Sequence, residues 1–412
     1  MINAADLIAS FGSPLYVYRL DTLATVAAQL RGMLPAPTTL FYSLKANPHP
    51  QVVAELVATG CRAEVSSIGE LTVALQAGCP PQDCLYTGPG KTEGELRAAI
   101  SRGVTLFSAE SSSDVGRISA AAGSHGVVAR CLLRINGVGG AARGAIRMTN
   151  RSSQFGFDLG DVNQWAVEVM KAPHVSVVGL HFFPMSNARS EQDLANSFVE
   201  SIGTAAHLRD AYGIPVQVLD LGGGFAAPFA KPGALPEYPA LKSELAAALK
   251  LHFPEYAAGT LELAFESGRY LSGTAGALYT SVTEVKQSMG STFGVLDAGI
   301  NHLGGMSGLR RLMPIEAKPE ATGDEPRTRL TLVGPLCAPS DVLATDLEIA
   351  PPGPGDVLQI PNVGAYGLTA SLLAFLSRDS PVELTIRGDQ VISASRLVVA
   401  RQPFTARPVH ED

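Results

Sequence analysis

A chain of 412 residues with 46% apolar and 17% charged side chains has the length for two or three domains and enough apolar material for a full core, which excludes a disordered protein. Its 31 Lys and Arg against 38 Asp and Glu give a net charge of −7 with no long basic run, which argues against a nucleic-acid partner. Nowhere do roughly 18 apolar residues run uninterrupted, and the opening MINAADLIASFGSPLYVY has no basic segment followed by an apolar one, so neither a membrane span nor a secretory signal is expected.

In chain order, PLYVYRL is strand-like, and residues 1–21 are expected to lend a strand to a β domain further along. From 22 to 270, short β-like runs (TTLFYSLKA, CRAEVSS, DCLYTG, VTLFSA, ARCLLRIN, SVVGLHFF, VQVLDLGGGF) alternate with helical stretches such as HPQVVAELVATG and SIGELTVALQAG. Such alternation predicts βα units around a parallel sheet, and seven or eight units in about 250 residues fit a closed (β/α)8 barrel, with an open doubly wound sheet as the alternative. From 271 to 412 the runs GALYTSVTEVKQ, STFGVLDA, TRLTLVGPLC, DVLQIPNV, PVELTIR and QVISASRLVVA, parted by Pro/Gly turns, predict a mostly β domain. The segments 136–150 and Pro314–Arg329 read as loops.

The cysteines are Cys61, Cys79, Cys84, Cys131 and Cys337. Their odd number and the lack of a CxxC pair disfavour disulfides and a metal cluster and point to the cytoplasm. Cys337 stands apart in GPLCAPSD, on a turn where a thiol can serve as proton donor or nucleophile, while the other four read as small buried apolar residues.

Four further motifs can carry chemistry. Lys45 in FYSLKAN ends an apolar strand, where desolvation can lower its pKa and allow a Schiff base with an aldehyde, or where it simply reaches to solvent. Gly222, Gly223 and Gly224 follow another strand and can bring backbone N–H groups onto an anion, or merely form a tight turn. In ESGRY, Glu266 can bind a protonated pyridine nitrogen and Arg269 a phosphate, the two poles of pyridoxal phosphate; a surface ion pair is the alternative. Tyr366 in GAYG can close over a phosphate or pack in the core.

Taken in order, YSLKAN, EVSSIGEL, YTGPGK, RIN, QFGFD, GLHFFPMS, LDLGGGF, ESGRY, GPLCAPSD and GAYG resemble the fold-type III pyridoxal-phosphate decarboxylases, the group of the diaminopimelate, ornithine and arginine decarboxylases, over nearly the whole chain. The resemblance implies an alanine-racemase-like (β/α)8 barrel followed by a β domain, a homodimer with shared active sites, and pyridoxal 5′-phosphate as cofactor. It implies Lys45 as the cofactor lysine, with Glu64 in the lysine-proximal region where the family usually has aspartate. Glu266 would bind the ring nitrogen and Arg134 would support the ring. Gly222–Gly224, Ser186, Arg269 and Tyr366 would hold the phosphate. Cys337 of one subunit would protonate the substrate carbon in the other.

Three departures bear on chemistry. Phe183 takes the place of the family's histidine stacked on the ring, His181 matching only the earlier one; Met185 replaces the glycine before Ser186; and Ala338 replaces the acid after the cysteine that binds a distal ammonium. The expected substrate is therefore a non-basic amino acid or an aminoacyl group on a carrier protein, and the chain resembles the subgroup acting on carrier-linked glutamate in butirosin-type biosynthesis. Asp341 can compensate for Ala338, and Arg310 or Arg311 can receive a substrate carboxylate or a carrier's phosphopantetheine. Diaminopimelate decarboxylation and amino-acid racemisation on the same fold are the alternatives.

Overall fold

The computed structural model describes residues 3–136, 146–147, 153–188, 190–304, 315–320 and 327–403. Arg310 and Arg311 lie outside the described residues, as do 137–145 and 148–150 of the first expected loop and 314 and 321–326 of the second. No helix of the described residues is long and apolar enough to cross a membrane.

A helix that the sequence pattern did not signal, Ala4–Phe11, comes first, started by Asn3, whose side chain accepts from the Ala5 N–H at 3.1 Å. After it come β1 (Leu15–Arg19), β2 (Thr39–Ser43), β3 (Arg62–Val65), β4 (Cys84–Tyr86), β5 (Leu106–Ala109) and β6 (Ala129–Asn136). Two short strands, β7 (Ile146–Arg147) and β8 (Phe157–Asp158), precede β9 (Val175–Phe182), β10 (Met185–Ser186), β11 (Val218–Asp220) and β12 (Glu262–Ser267). The β2-to-β12 region folds as alternation of strand and helix demands. Each helix that opens on Ser67, Thr92, Ser111 or Ser190 has that hydroxyl accepting the N–H three residues on, which closes the first turn.

Strands β2, β3, β4, β5, β6, β9, β11 and β12 pair in parallel, and β12 returns to β2, so the sheet closes into the expected eight-stranded barrel. Along a strand, alternate side chains face inward, and closure stacks them in layers. The middle layer is a dry plug of Phe41, Leu85, Leu106, Leu132, Val178, Val218 and Ala264. Two residues before Phe41 and Ala264, Thr39 and Glu262 begin a polar floor, where Thr39 Oγ1 and Arg62 of β3 donate to Glu262 at 2.7 and 2.6 Å. Two residues later, the inward positions are Ser43, Thr87, Ser108, Arg134, Asp220 and Glu266, joined by Glu64 from β3. The plug thus forms the base of a polar chamber at the C-terminal end of the barrel.

The strands β13 (Gly276–Ser288), β14 (Ser291–Leu296), β15 (Thr328–Val333), β16 (Val342–Ile349), β17 (Val357–Ile360), β18 (Val382–Arg387) and β19 (Gln390–Arg396) form a second sheet. Within it β1 lies antiparallel to β13 and parallel to β18. Glu383 is buried in this sheet and accepts from the Tyr18 hydroxyl at 2.8 Å. Burial pushes its carboxyl up to about 7, and the Tyr18 bond only partly offsets this.

Two outcomes are expected. Leu85→Ala opens a hole in the plug and should cost about 2–5 kcal/mol, read as a lower unfolding midpoint; an unchanged midpoint would show that the plug is not packed as described. Below the ordinary carboxylate range Glu383 is neutral whether folded or not. As pH rises toward about 7, the unfolded chain ionises first and the folded state loses stability. Glu383→Gln removes that loss, so the variant should gain stability relative to the parent between about pH 5 and 7.5; a constant difference across that range would refute the assignment.

Candidate active site

Lys45 stands two residues beyond the end of β2, in a short 3-10 turn, Leu44–Ala46. Its Nζ lies 3.2 and 3.1 Å from the two oxygens of Glu64, which is itself buried and also accepts from the Thr87 hydroxyl. Burial pushes the Lys45 ammonium down, but Glu64 and Glu266 outweigh it and the net shift is upward. This corrects the expectation of a lowered lysine pKa: strand position alone does not reveal that the neighbouring strand delivers a carboxylate. Burial would raise Glu64, yet the Lys45 charge and the Thr87 bond hold it below its ordinary range.

Across the chamber, Arg134 donates to Glu110 at 2.9 Å, and Glu110 also accepts from the Gly156 N–H at 2.8 Å. The guanidinium carbon lies 4.5 Å from the centre of the Phe155 ring and 5.8 Å from that of Phe183. Glu110 escaped the sequence reading; the available signal was an acid directly after the apolar strand β5. Phe183 follows β9 and its ring centre is 5.6 Å from Lys45 Nζ. Met185, in the family's glycine position, turns its side chain into the core, while Ser186 remains on the cleft wall.

At the end of β11, Asp220 accepts from the Gly222 N–H at 2.8 Å and bends the chain sharply. Gly222 has φ +71°, and a Cβ there would lie 2.1 Å from the Phe182 carbonyl oxygen; at Gly223 it would lie 2.6 Å from that of Glu266. No other residue fits either position without moving backbone. Gly223 and Gly224 line a cleft with Lys45, Phe183, Ser186, Glu266, Arg269 and Tyr366. The open space in and above the cleft is ≈ 340 Å³. Arg269 lies with its guanidinium carbon 4.6 Å from the Tyr366 ring centre, and burial lowers its pKa. The Tyr366 loop is tied to the lysine turn: the Tyr366 N–H donates to the Ala46 carbonyl at 2.8 Å, and Asn47 donates to that of Gly364 at 2.9 Å. A larger groove of ≈ 1,670 Å³ beside Lys231, Lys318 and β16 has surface ion-pairing groups but neither the lysine turn nor the glycines.

At the chamber base, His181 Nε2 is 3.3 Å from Glu266 Oε1, and the donor atoms of His181, Asp220 and Glu266 fall within 4.8 Å of one another. All three side chains are buried, and His181 Nε2, Asp220 Oδ2 and Glu266 Oε1 each lack a hydrogen-bond partner. Burial, then Glu64 and Asp220, push the Glu266 carboxyl well up; burial moves Asp220 up to about 7 and pushes His181 well down. An orphaned carboxylate oxygen suits a ring N–H, the backbone cradle of Gly222–Gly224 with Arg269 suits a phosphate, and a lysine amine stands between them. The residues therefore fit pyridoxal phosphate.

Around Cys337 one expectation changes, that for Asp341. Cys337 is exposed and does not line the cleft of its own chain, whereas Cys61, Cys79, Cys84 and Cys131 are buried. Ala338 beside it is half-buried. Asp341 does not replace the missing acid: it is buried, and its oxygens accept from the Ile300 and Leu336 N–H groups, both at 2.8 Å. Sequence proximity to Cys337 concealed that this carboxylate is needed to fold the loop. Asp341→Ala should strand two N–H groups at about 1–3 kcal/mol each, lowering the thermal midpoint; an unaltered midpoint would free Asp341 for another role.

Comparison with known proteins agrees with this chemistry. Residues 20–273 match the family described as pyridoxal-dependent decarboxylase, pyridoxal binding domain. The chain is 28% identical to the L-glutamyl-[BtrI acyl-carrier protein] decarboxylase of Niallia circulans, covering 92% of this chain and 89% of that protein. It is 30% identical to the diaminopimelate decarboxylase of Aquifex aeolicus, covering 90% and 86%. The crystal structure of M. jannaschii diaminopimelate decarboxylase with L-lysine matches with a TM-score of 0.80 and 26% identity over 94% of this chain and 90% of that one. With the lysine, the glycine cradle and the buried carboxylate gathered at one barrel end, the chain belongs to the pyridoxal-dependent decarboxylase family and is a pyridoxal-phosphate-dependent amino-acid decarboxylase.

Proposed function

We propose that this decarboxylase acts on an amino acid without a distal positive charge, presented as an aminoacyl group on a carrier protein. The observation that carries the reading is at the Cys337 loop. Ala338 has no charge, and Asp341, the one acid in Gly334–Asp341, has both oxygens committed to backbone N–H groups. A distal ammonium placed there would lose its water without gaining a counter-charge. The similarity to the carrier-protein glutamate decarboxylase supports the same reading.

In this proposal Lys45 holds the cofactor through its amine, steadied by Glu64, and Thr87 fixes Glu64. Arg269, Ser186, Tyr366 and the Gly222–Gly224 backbone would hold the phosphate, and Phe183 would offer the ring its apolar face. Glu266 would pair with the ring nitrogen, and Arg134, anchored by Glu110, would support the ring. Bound pyridoxal phosphate supplies the electron sink for the pair released as CO₂ leaves. Cys337 enters from the second subunit of a homodimer and delivers a proton to the carbon that loses the carboxylate. The exposure of Cys337, away from its own chain's cleft, supports that crossing.

Mass spectrometry of the cofactor-loaded enzyme with aminoacyl thioesters and with free glutamate, ornithine, lysine and meso-diaminopimelate tests the substrate. Loss of one CO₂ from thioesters and not from diamino acids is expected. Ready turnover of free meso-diaminopimelate would overturn the proposal in favour of the lysine-forming activity of the Aquifex aeolicus relative. Cys337→Ala should lower turnover by about 10²–10⁴-fold and raise the share of transamination product; unaltered product ratios would remove its role as proton donor.

A further inference from the structure

The trio at the chamber base contains two residues, His181 and Asp220, to which the proposed chemistry gives no work. The histidine's placement is unusual. Val178 and Leu180 have the same parity, yet Val178 belongs to the barrel plug and Leu180 to the core cluster outside it. The pairing of β6 with β9 explains this: Cys131 faces Val177 while Leu132 faces Gly179, so Val178 is an extra residue in a bulge. The bulge shifts the alternation, and His181 turns inward.

There its Nδ1 lies 2.7 Å from the Ser108 hydroxyl, and its Nε2 lies 3.3 Å from Glu266 Oε1. The cations facing the imidazole are Arg134, Lys45 and Lys91, so with burial it stays neutral and carries one N–H. With Glu266 ionised, as a protonated ring nitrogen beside it requires, a proton on Nδ1 would leave bare lone pairs of Nε2 and Oε1 facing each other. With it on Nε2, the Ser108 hydroxyl donates to Nδ1, and one donor meets one acceptor among two atoms that otherwise lack partners. The contact is long for a hydrogen bond, as such contacts often are before a ligand is bound. Glu266 is surrounded by the acids Glu64 and Asp220 as well as by Lys45 and Arg134, so a nearby N–H donor bears directly on whether it holds a charge.

We propose that His181, fixed by Ser108 as the tautomer with its proton on Nε2, is a positioning residue that donates to Glu266 and keeps that carboxylate charged and turned toward the cofactor's ring nitrogen. The inference rests on the assignment of Glu266 to that nitrogen.

The test uses ring-¹⁵N pyridoxal phosphate bound to the enzyme, with nitrogen protonation read by NMR and affinity by titration. His181→Gln keeps an N–H in reach of Glu266 and should retain a protonated ring nitrogen. His181→Leu should shift the nitrogen toward the unprotonated form and raise the cofactor Kd about 10- to 100-fold, the worth of a hydrogen bond to a charged group. A folded His181→Leu protein with the parent's nitrogen signal and Kd would overturn the proposal. Glu266→Gln separates the two failures: if it too leaves the nitrogen signal unchanged, the fault lies in the Glu266 assignment rather than in His181. Should the leucine variant not fold, ¹⁵N-histidine spectra of the cofactor-loaded parent decide, with His181→Gln locating the signal. An Nε2–H tautomer is expected, disturbed by Ser108→Ala; an Nδ1–H tautomer, or a stoichiometric metal ion bound by the trio, would overturn it.

Discussion

The structure depends on the inward alternation of eight parallel strands closed on themselves. Closure aligns inward positions in layers, and the apolar plug of Phe41, Leu85, Leu106, Leu132, Val178, Val218 and Ala264 separates a polar floor from a polar chamber. Every charged group at the chamber base sits on the layer immediately above the plug. The plug excludes water from below, so the electrostatics of Glu266, Asp220 and His181 are governed by neighbouring side chains rather than by solvent. Placing Lys45 two residues beyond its strand leaves it 42% exposed, open to the cleft while still paired with the buried Glu64.

The same constraint distributes roles by strand. Neighbours β2 and β3 bring Lys45 and Glu64 together, β11 and β12 bring the glycine cradle against the Glu266 backbone, and β6 with the residue after β5 supplies Arg134 and Glu110. The second sheet does not build the chamber but closes it. Its Tyr366 loop is hydrogen-bonded to Ala46 and Asn47, so the phosphate-side wall and the lysine turn move together. Lys45 and Glu64, and Arg134 and Glu110, are paired, whereas His181, Asp220 and Glu266 face one another with one unpartnered atom each.

Much of this was legible in the residues. The barrel followed from apolar runs alternating with helices, and Lys45, Gly222–Gly224, Glu266 and Arg269 stood out because each comes at or just after the end of such a run. Other features leave no local trace. The Val178 bulge hides in an uninterrupted apolar run, so nothing in SVVGLHFF announces that His181 faces inward. The upward shift of Lys45 depends on Glu64, nineteen residues away in sequence and 3.1 Å away in space. Asp341 looked available because its two N–H partners, at Ile300 and Leu336, are brought to it only by folding.

The central claim is that Lys45, above the plug and beside Glu64, is the residue that carries the cofactor. Borohydride reduction of the pyridoxal-phosphate-loaded enzyme, followed by proteolysis and mass spectrometry, tests it most directly. A single phosphopyridoxyl label on Lys45 is the predicted result. A label on another lysine, or none at full cofactor occupancy, would contradict it.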